Sequence, residues 1–160
     1  MTIKTGDKIP TATLSHMTDK GPSPISTDEL FGGKKVVLFA LPGAYTPTCS
    51  ARHLPGYVEH AAEFKKKGVD EIVCLSVNDA FVMNAWGKDQ NATGKVHMIA
   101  DGNGEFTKKV GLELDATKFG MGHRSQRYAM VVENGVVKTL EVEEGGDFKV
   151  SAAEHILSQL

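Results

Sequence analysis

The apolar positions of this chain follow two rhythms. Nearly unbroken apolar runs recur at 35–41 (KVVLFAL), 71–77 (EIVCLSV) and 97–100 (HMIA). Short runs of this kind suit strands covered on both faces, as in a parallel sheet. Between the first two runs the apolar residues fall at helical spacing. Leu54, Val58, Ala61, Ala62 and Phe64 share one face, which predicts a helix over about 48–67 that stops at Gly68. Asn78-Asp79 predicts the cap of another helix, running to about Trp86. Residues 105–110 predict a shorter one that ends at Gly111.

The ends of the chain read differently. Residues 10–15 alternate weakly and predict a short strand, and Gly21-Pro22-Ser23-Pro24 predicts a turn. Ser26-Thr27-Asp28-Glu29 has the form of a capping box and opens a short helix that ends at Gly32-Gly33. Residues 101–104 (DGNG) predict a further turn. The runs 128–132 and 136–140 flank Glu133-Asn134-Gly135, a hairpin signature, and a last helix is expected over 151–159. Strands alternating with helices imply parallel βαβ units, to which the hairpin adds an antiparallel edge. The expected fold is α/β, a thioredoxin-like three-layer sandwich. A mixed central sheet is flanked by helices, with an N-terminal extension and a C-terminal β-hairpin plus helix. No repeat or linker interrupts the pattern, so residues 1–160 are expected to form a single domain.

Composition narrows the function. The chain is 41% apolar and 24% charged, with a formal net charge of -2, which makes no electrostatic case for nucleic acid or an anionic membrane. The basic run Lys65-Lys66-Lys67 sits near a helix end, where cations complement the dipole and stay solvated. No apolar run approaches the roughly 20 residues of a membrane span. The segment Met1 to Asp7 lacks an apolar signal core. A cytoplasmic location is expected, or an organellar one if a targeting peptide has been removed. Two cysteines are too few for a disulfide scaffold and suit a reducing compartment. His16, His60, His97, His123 and His155 are scattered, and no CxxC or HxxxH occurs, so neither metal nor cofactor is expected.

The chemistry concentrates in ALPGAYTPTCSARHLPGY, residues 40–57. This stretch holds three of the six prolines and one of the two cysteines. Cys49 is expected in the first helical turn beyond a strand's C-terminal end, where open α/β sheets bind ligands. A helix N-terminus favours the thiolate, and its unpaired N–H groups can hold an anion. Pro42 and Pro47 restrict the loop, and Thr46 and Thr48 supply hydroxyls near the sulfur. The plainer alternative is a buried, inert cysteine beside a threonine cap. His53 lies one helical turn on and shares a face with Cys49. That spacing permits a Cys–His pair, half of a metal site, or a local hydrogen bond that steadies the helix, and the last is expected. Cys74 lies within an apolar run and is expected to be a buried strand residue.

The segment PGAYTPTCS carries Pro-x-x-x-Thr-x-x-Cys, which resembles the active-site motif of peroxiredoxins. The continuation SARHLPGYVEHAAEFKKKGVDEIVCLSVNDAFVMNAWG is similar to the type II, peroxiredoxin-five-like subfamily. The likeness extends through RYAMVVENGVVKTLEVE to ILSQL and so covers nearly the whole chain. It implies a thiol-dependent peroxidase that reduces hydrogen peroxide and alkyl hydroperoxides through a Cys49 sulfenic acid. By the same resemblance Cys49 is the peroxidatic nucleophile, and Thr46 hydrogen-bonds the thiolate and the peroxide. Pro42 shields the sulfur, and Arg127 is the active-site arginine. Arg124, three residues earlier, would face the opposite side of a strand and is expected to be a solvated surface arginine. Phe119-Gly120-Met121-Gly122 could form one wall of the site. Tyr45 stands where such proteins often carry an aromatic facing a partner, and a homodimer is implied. Plant-like members of the subfamily also carry two cysteines at this spacing. An external reductant is therefore expected, either glutathione with glutaredoxin or thioredoxin, with Cys74 a minor candidate for the resolving thiol. The alternatives are a thioredoxin-fold redox sensor or binding protein whose thiol oxidises without turnover, and a Cys–His hydrolase. The hydrolase ranks last because no third residue evidently orients His53.

Overall fold

The computed structural model describes all 160 residues. The chain begins with strands β1 (Thr13–Thr18) and β2 (Gly21–Ser26), helix α1 (Thr27–Phe31) and strand β3 (Lys35–Leu41). A π-helical turn, Cys49–His53, leads into α2 (Leu54–Glu59) and α3 (Ala61–Lys66). Then come β4 (Glu71–Ser76), α4 (Ala80–Asp89), β5 (His97–Ala100) and α5 (Glu105–Val110). Strands β6 (Glu113–Asp115) and β7 (His123–Ser125) flank a 3₁₀ turn at Thr117–Phe119. The chain closes with β8 (Tyr128–Glu133), β9 (Val136–Val142) and α6 (Ala153–Ser158).

The three apolar runs form the parallel centre, β3 beside β4 and β4 beside β5, of a mixed sheet ordered β2-β1-β5-β4-β3-β8-β9. Side chains alternate across β3. Val37, Phe39 and Leu41 join Leu54, Phe64, Met83, Trp86 and Ile156 from α2, α3, α4 and α6. Val36, Leu38 and Ala40 join Leu30 and Phe31 of α1 and Phe106 and Val110 of α5. Helices on both faces make the expected three-layer, thioredoxin-like α/β sandwich. No helix is long and apolar enough to cross a membrane.

Several local expectations are corrected. The stretch 21–24 is the start of β2 rather than a turn, and the reversal falls at Asp19-Lys20, with Thr18 opposite Gly21. Prolines two residues apart direct their missing N–H to the same side, and β2 is the outermost strand, so Pro22 and Pro24 break no ladder. The strand expected at 10–15 lies at Thr13–Thr18. The single helix expected over 48–67 is instead a π turn and two short helices, broken at His60 (φ -96, ψ 10). Pro55 has no N–H for the carbonyl of Ala51, and the widened turn ahead of it makes room for its ring. The ladder there runs from the Leu54 N–H to the Cys49 carbonyl, five residues back. Helix α4 continues past Trp86 to Asp89, and β9 past Leu140 to Val142. The small β6–β7 sheet was not foreseen. The hairpin turn is as expected, with Asn134 (φ 46) and Gly135 (φ 78) both left-handed.

Candidate active site

The loop after β3 is fastened from three sides. The Ala44 N–H donates to Asn78 Oδ1 at 3.0 Å, and Ser76 Oγ donates to the same oxygen at 2.5 Å, which ties the loop to the C-terminal end of β4. Thr46 Oγ1 donates to the Gly43 carbonyl at 2.7 Å. Arg124 Nη1 donates to the Pro42 carbonyl at 3.2 Å and its Nε to the Met121 carbonyl at 2.9 Å. A Cβ on Gly43 would stand 2.7 Å from that Nη1, so the close approach requires glycine or a displaced arginine. Tyr45 holds φ at 65°, a conformation that costs a bulky residue about 1–3 kcal/mol. Its hydroxyl donates to Asp89 Oδ2 at 2.6 Å, yet the ring stays exposed.

Cys49 opens the π turn and is wholly buried. The turn is held by the Ser50 N–H on the Thr46 carbonyl (2.9 Å) and by Trp86 Nε1 on Ser50 Oγ (3.0 Å). Arg127 reaches it from the short link between β7 and β8. Its Nη2 donates to Cys49 Sγ at 3.1 Å and its Nη1 to His53 Nδ1 at 2.7 Å. The other imidazole nitrogen, Nε2, donates to the Ser151 carbonyl at 3.2 Å. These partners fix the tautomer, because a guanidinium can only donate and a carbonyl can only accept. Burial, and then the charge of Arg127, push the His53 pKa down to about 3, so the ring is a neutral acceptor. It packs between Phe39 (4.9 Å between centroids) and Phe148 (5.1 Å).

Pro42, Thr46, Cys49, His53 and Arg127 thus converge beyond the C-terminal end of β3. Thr46 departs from expectation, since its proton goes to the Gly43 carbonyl and not to the sulfur. Its lone pairs remain able to accept a hydrogen bond. Cys74 lies in β4, opposite Phe39 and Met98, in the same apolar cluster as Cys49. Burial, and then negative charge at Cys49, push its thiol pKa well up. Both thiols are free. Arg124 is not the surface residue expected, because it clamps the Pro42 loop. The expectation assumed one continuous strand, but Gln126 and Arg127 lie between β7 and β8, so strict alternation does not hold. Asn78, Trp86 and Ser151 were also missed, since nothing local in the sequence marks them as partners of this loop. A groove of about 660 Å³, lined by residues including Phe64, Ile72, His97 and Met98, lies towards the N-terminal ends of β4 and β5 and includes none of these side chains.

The chain matches the Redoxin family over residues 4–157. It is 51% identical to peroxiredoxin-2E, chloroplastic, of Arabidopsis thaliana, over 99% of this chain and 69% of that protein. The chain belongs to the peroxiredoxin family. It is also 48% identical to Arabidopsis peroxiredoxin-2D, over 99% of this chain and 98% of that one. Reduced Prx3 of Vibrio vulnificus in complex with hydrogen peroxide superposes with a TM-score of 0.95 at 57% identity, covering 98% of each chain. This peroxiredoxin is accordingly a thiol-dependent peroxidase, built on the thioredoxin-like sandwich described above.

Proposed function

We propose that Cys49 is the peroxidatic thiol and that Arg127, Thr46 and Pro42 complete its site. The observation that carries this reading is the Arg127 Nη2–H aimed at Sγ from 3.1 Å, inside a buried turn. The thiolate attacks the nearer peroxide oxygen and forms an S–O bond as the O–O bond breaks. The product is Cys49 sulfenic acid, and the departing oxygen takes a proton and leaves as water or an alcohol. Arg127 stabilises the charge that develops along this path, and His53 holds it in place. Thr46, whose proton is engaged, accepts the O–H of the incoming peroxide. Pro42 walls the sulfur, with Arg124 bracing its carbonyl. The Vibrio relative's complex with hydrogen peroxide supports that substrate, and alkyl hydroperoxides follow the same chemistry.

An external thiol, glutathione with glutaredoxin or thioredoxin, reduces the sulfenic acid. The raised pKa of Cys74 leaves it little thiolate with which to attack. This dependence suits a reducing compartment, cytoplasmic or organellar, and chloroplastic proteins are among the relatives. Tyr45, Phe81 and Phe119 are exposed aromatics on segments that follow β3, β4 and β6, and they suit a homodimer interface near the site. Sedimentation of the reduced protein should give twice the chain mass, whereas a monomer would refute the dimer.

Stopped-flow mixing of reduced protein with hydrogen peroxide tests the core of the proposal. Oxidation should run orders of magnitude faster than for free cysteine and vanish in Cys49→Ser. Arg127→Ala should slow it by about 10²- to 10³-fold, the usual cost of losing one donor to developing charge. Oxidation of the unmodified protein at the free-cysteine rate would overturn the assignment.

A further inference from the structure

The nine residues 143–151 (EEGGDFKVS) join β9 to α6 and carry no regular structure apart from turns, yet Glu143 and Ser151 at its two ends are buried. One carboxylate oxygen folds this segment. Glu143 Oε2 accepts from the Lys149 N–H (2.7 Å), the Ser151 N–H (2.9 Å) and Ser151 Oγ (2.6 Å). The loop is anchored at its other side by the Glu143 N–H on the Arg127 carbonyl at 3.0 Å. A buried carboxylate loses its hydration, and three donors on one oxygen offset that loss only in one loop geometry.

Each consequence of that geometry bears on Arg127. The Ser151 carbonyl accepts from His53 Nε2 and from the Tyr57 hydroxyl, at 3.2 and 2.7 Å. Phe148, carried on the same loop, stands 6.0 Å from the Arg127 guanidinium carbon and 4.7 Å from that of Arg52. With the Ser151 carbonyl in place the imidazole proton sits on Nε2, and the Nδ1 lone pair faces Arg127. In the other tautomer an Nδ1–H would oppose the Nη1–H, and the guanidinium would turn from Sγ.

We propose that Glu143 is a positioning residue for peroxide reduction, acting through the Ser151 carbonyl to fix the His53 tautomer that aims Arg127 at Cys49. The inference rests on the roles proposed above for Cys49 and Arg127. The imidazole signal reads the network itself, so the two can fail separately.

Nitrogen-15 NMR of histidine-labelled, reduced protein tests it without mutation. His53 should appear as the neutral Nε2–H form from pH 8 to pH 5, and an Nδ1–H form or a titration in that range overturns the proposal. In Glu143→Ala the His53 signals should become a tautomer mixture, and oxidation of Cys49 by hydrogen peroxide should slow about 10- to 100-fold. Glu143→Gln keeps an acceptor oxygen and should restore the Nε2–H form and most of the rate. A folded Glu143→Ala protein with the native tautomer and rate would assign Glu143 to stability alone and overturn the proposal. If Glu143→Ala does not fold, Glu143→Asp, whose shorter carboxylate cannot reach all three donors of the loop, decides, and the native His53 tautomer and rate in that variant would overturn the proposal.

Discussion

At the scale of single residues, His53 shows how geometry selects among uses that spacing leaves open. One helical turn from Cys49, it could have been a base, a ligand or a strut. Buried and held between a guanidinium and a carbonyl, it is a strut whose usefulness depends on staying neutral. That dependence has a pH signature. The folded pKa of about 3 lies below the ordinary histidine value, so the unfolded chain takes up the proton first. The stabilisation is complete above about pH 6.5 and is lost as pH falls towards 3, with a limiting slope of about 1.4 kcal/mol per pH unit. His53→Gln can accept from Arg127 and donate to Ser151 but does not titrate. Denaturant unfolding from pH 7 to pH 5 should therefore cost the unmodified protein about 2 kcal/mol more than the variant. Parallel curves would refute a buried neutral His53. Shifts at His16, His60 and Glu143 cancel in this comparison. The closeness of Pro42, Thr46 and Cys49 was legible in the sequence because they share one short loop. The contacts of His53 with Arg127 and Ser151 span 74 and 98 positions, and no local pattern encodes those.

At the scale of elements, the apolar runs gave β3, β4 and β5 because a strand covered on both faces has no polar choice to make. The same logic located Cys74 in the core. The failures arose where local chemistry outweighs periodicity. Pro22 and Pro24 read as a turn although an edge strand tolerates them, and Pro55 broke a helix that the apolar spacing made continuous. Strands β6 and β7 are only three residues long, too short to alternate visibly. Yet β7 and the link after it bring both arginines to the site. The contrast between Cys49, in a π turn one step from a loop, and Cys74, inside the central ladder, makes a prediction. Cys74→Ala should lose about 1 kcal/mol of stability and keep most peroxide turnover with glutathione and glutaredoxin or with thioredoxin. Turnover assays on the reduced variant check this. Abolished turnover in a folded Cys74→Ala protein would make Cys74 the resolving thiol.

At the scale of the molecule, the sheet is unevenly secured. Strands β3, β4 and β8 pair in six-residue ladders, whereas the β1–β2 hairpin joins the rest through a single main-chain bridge, Ser15 opposite Ala100. Side chains supplement that bridge. His16 Nδ1 meets His97 Nε2 at 2.8 Å, His97 Nδ1 meets Glu71 Oε1, and Lys34 stands 3.5 Å from Glu71 Oε2. This clasp links β1 to β5 and to β4. Burial, followed by the proximity of His97, holds the His16 pKa below its ordinary value, against the weaker pull of Glu29 and Glu71. Its contribution to stability is therefore present above the unfolded histidine pKa and is lost as pH falls below it. The site lies at the opposite ends of the central strands and should not feel this loss. Hydrogen exchange, corrected for intrinsic rates, should show the Thr13–Thr18 amides losing protection between pH 7 and pH 5 by an amount different from that of β3 and β4, which open only with the whole molecule and so also lose the contribution of His53. His16→Asn should remove most of that pH dependence. A uniform change across the sheet would mean that the hairpin opens only with the whole molecule, and the clasp would then have no local role.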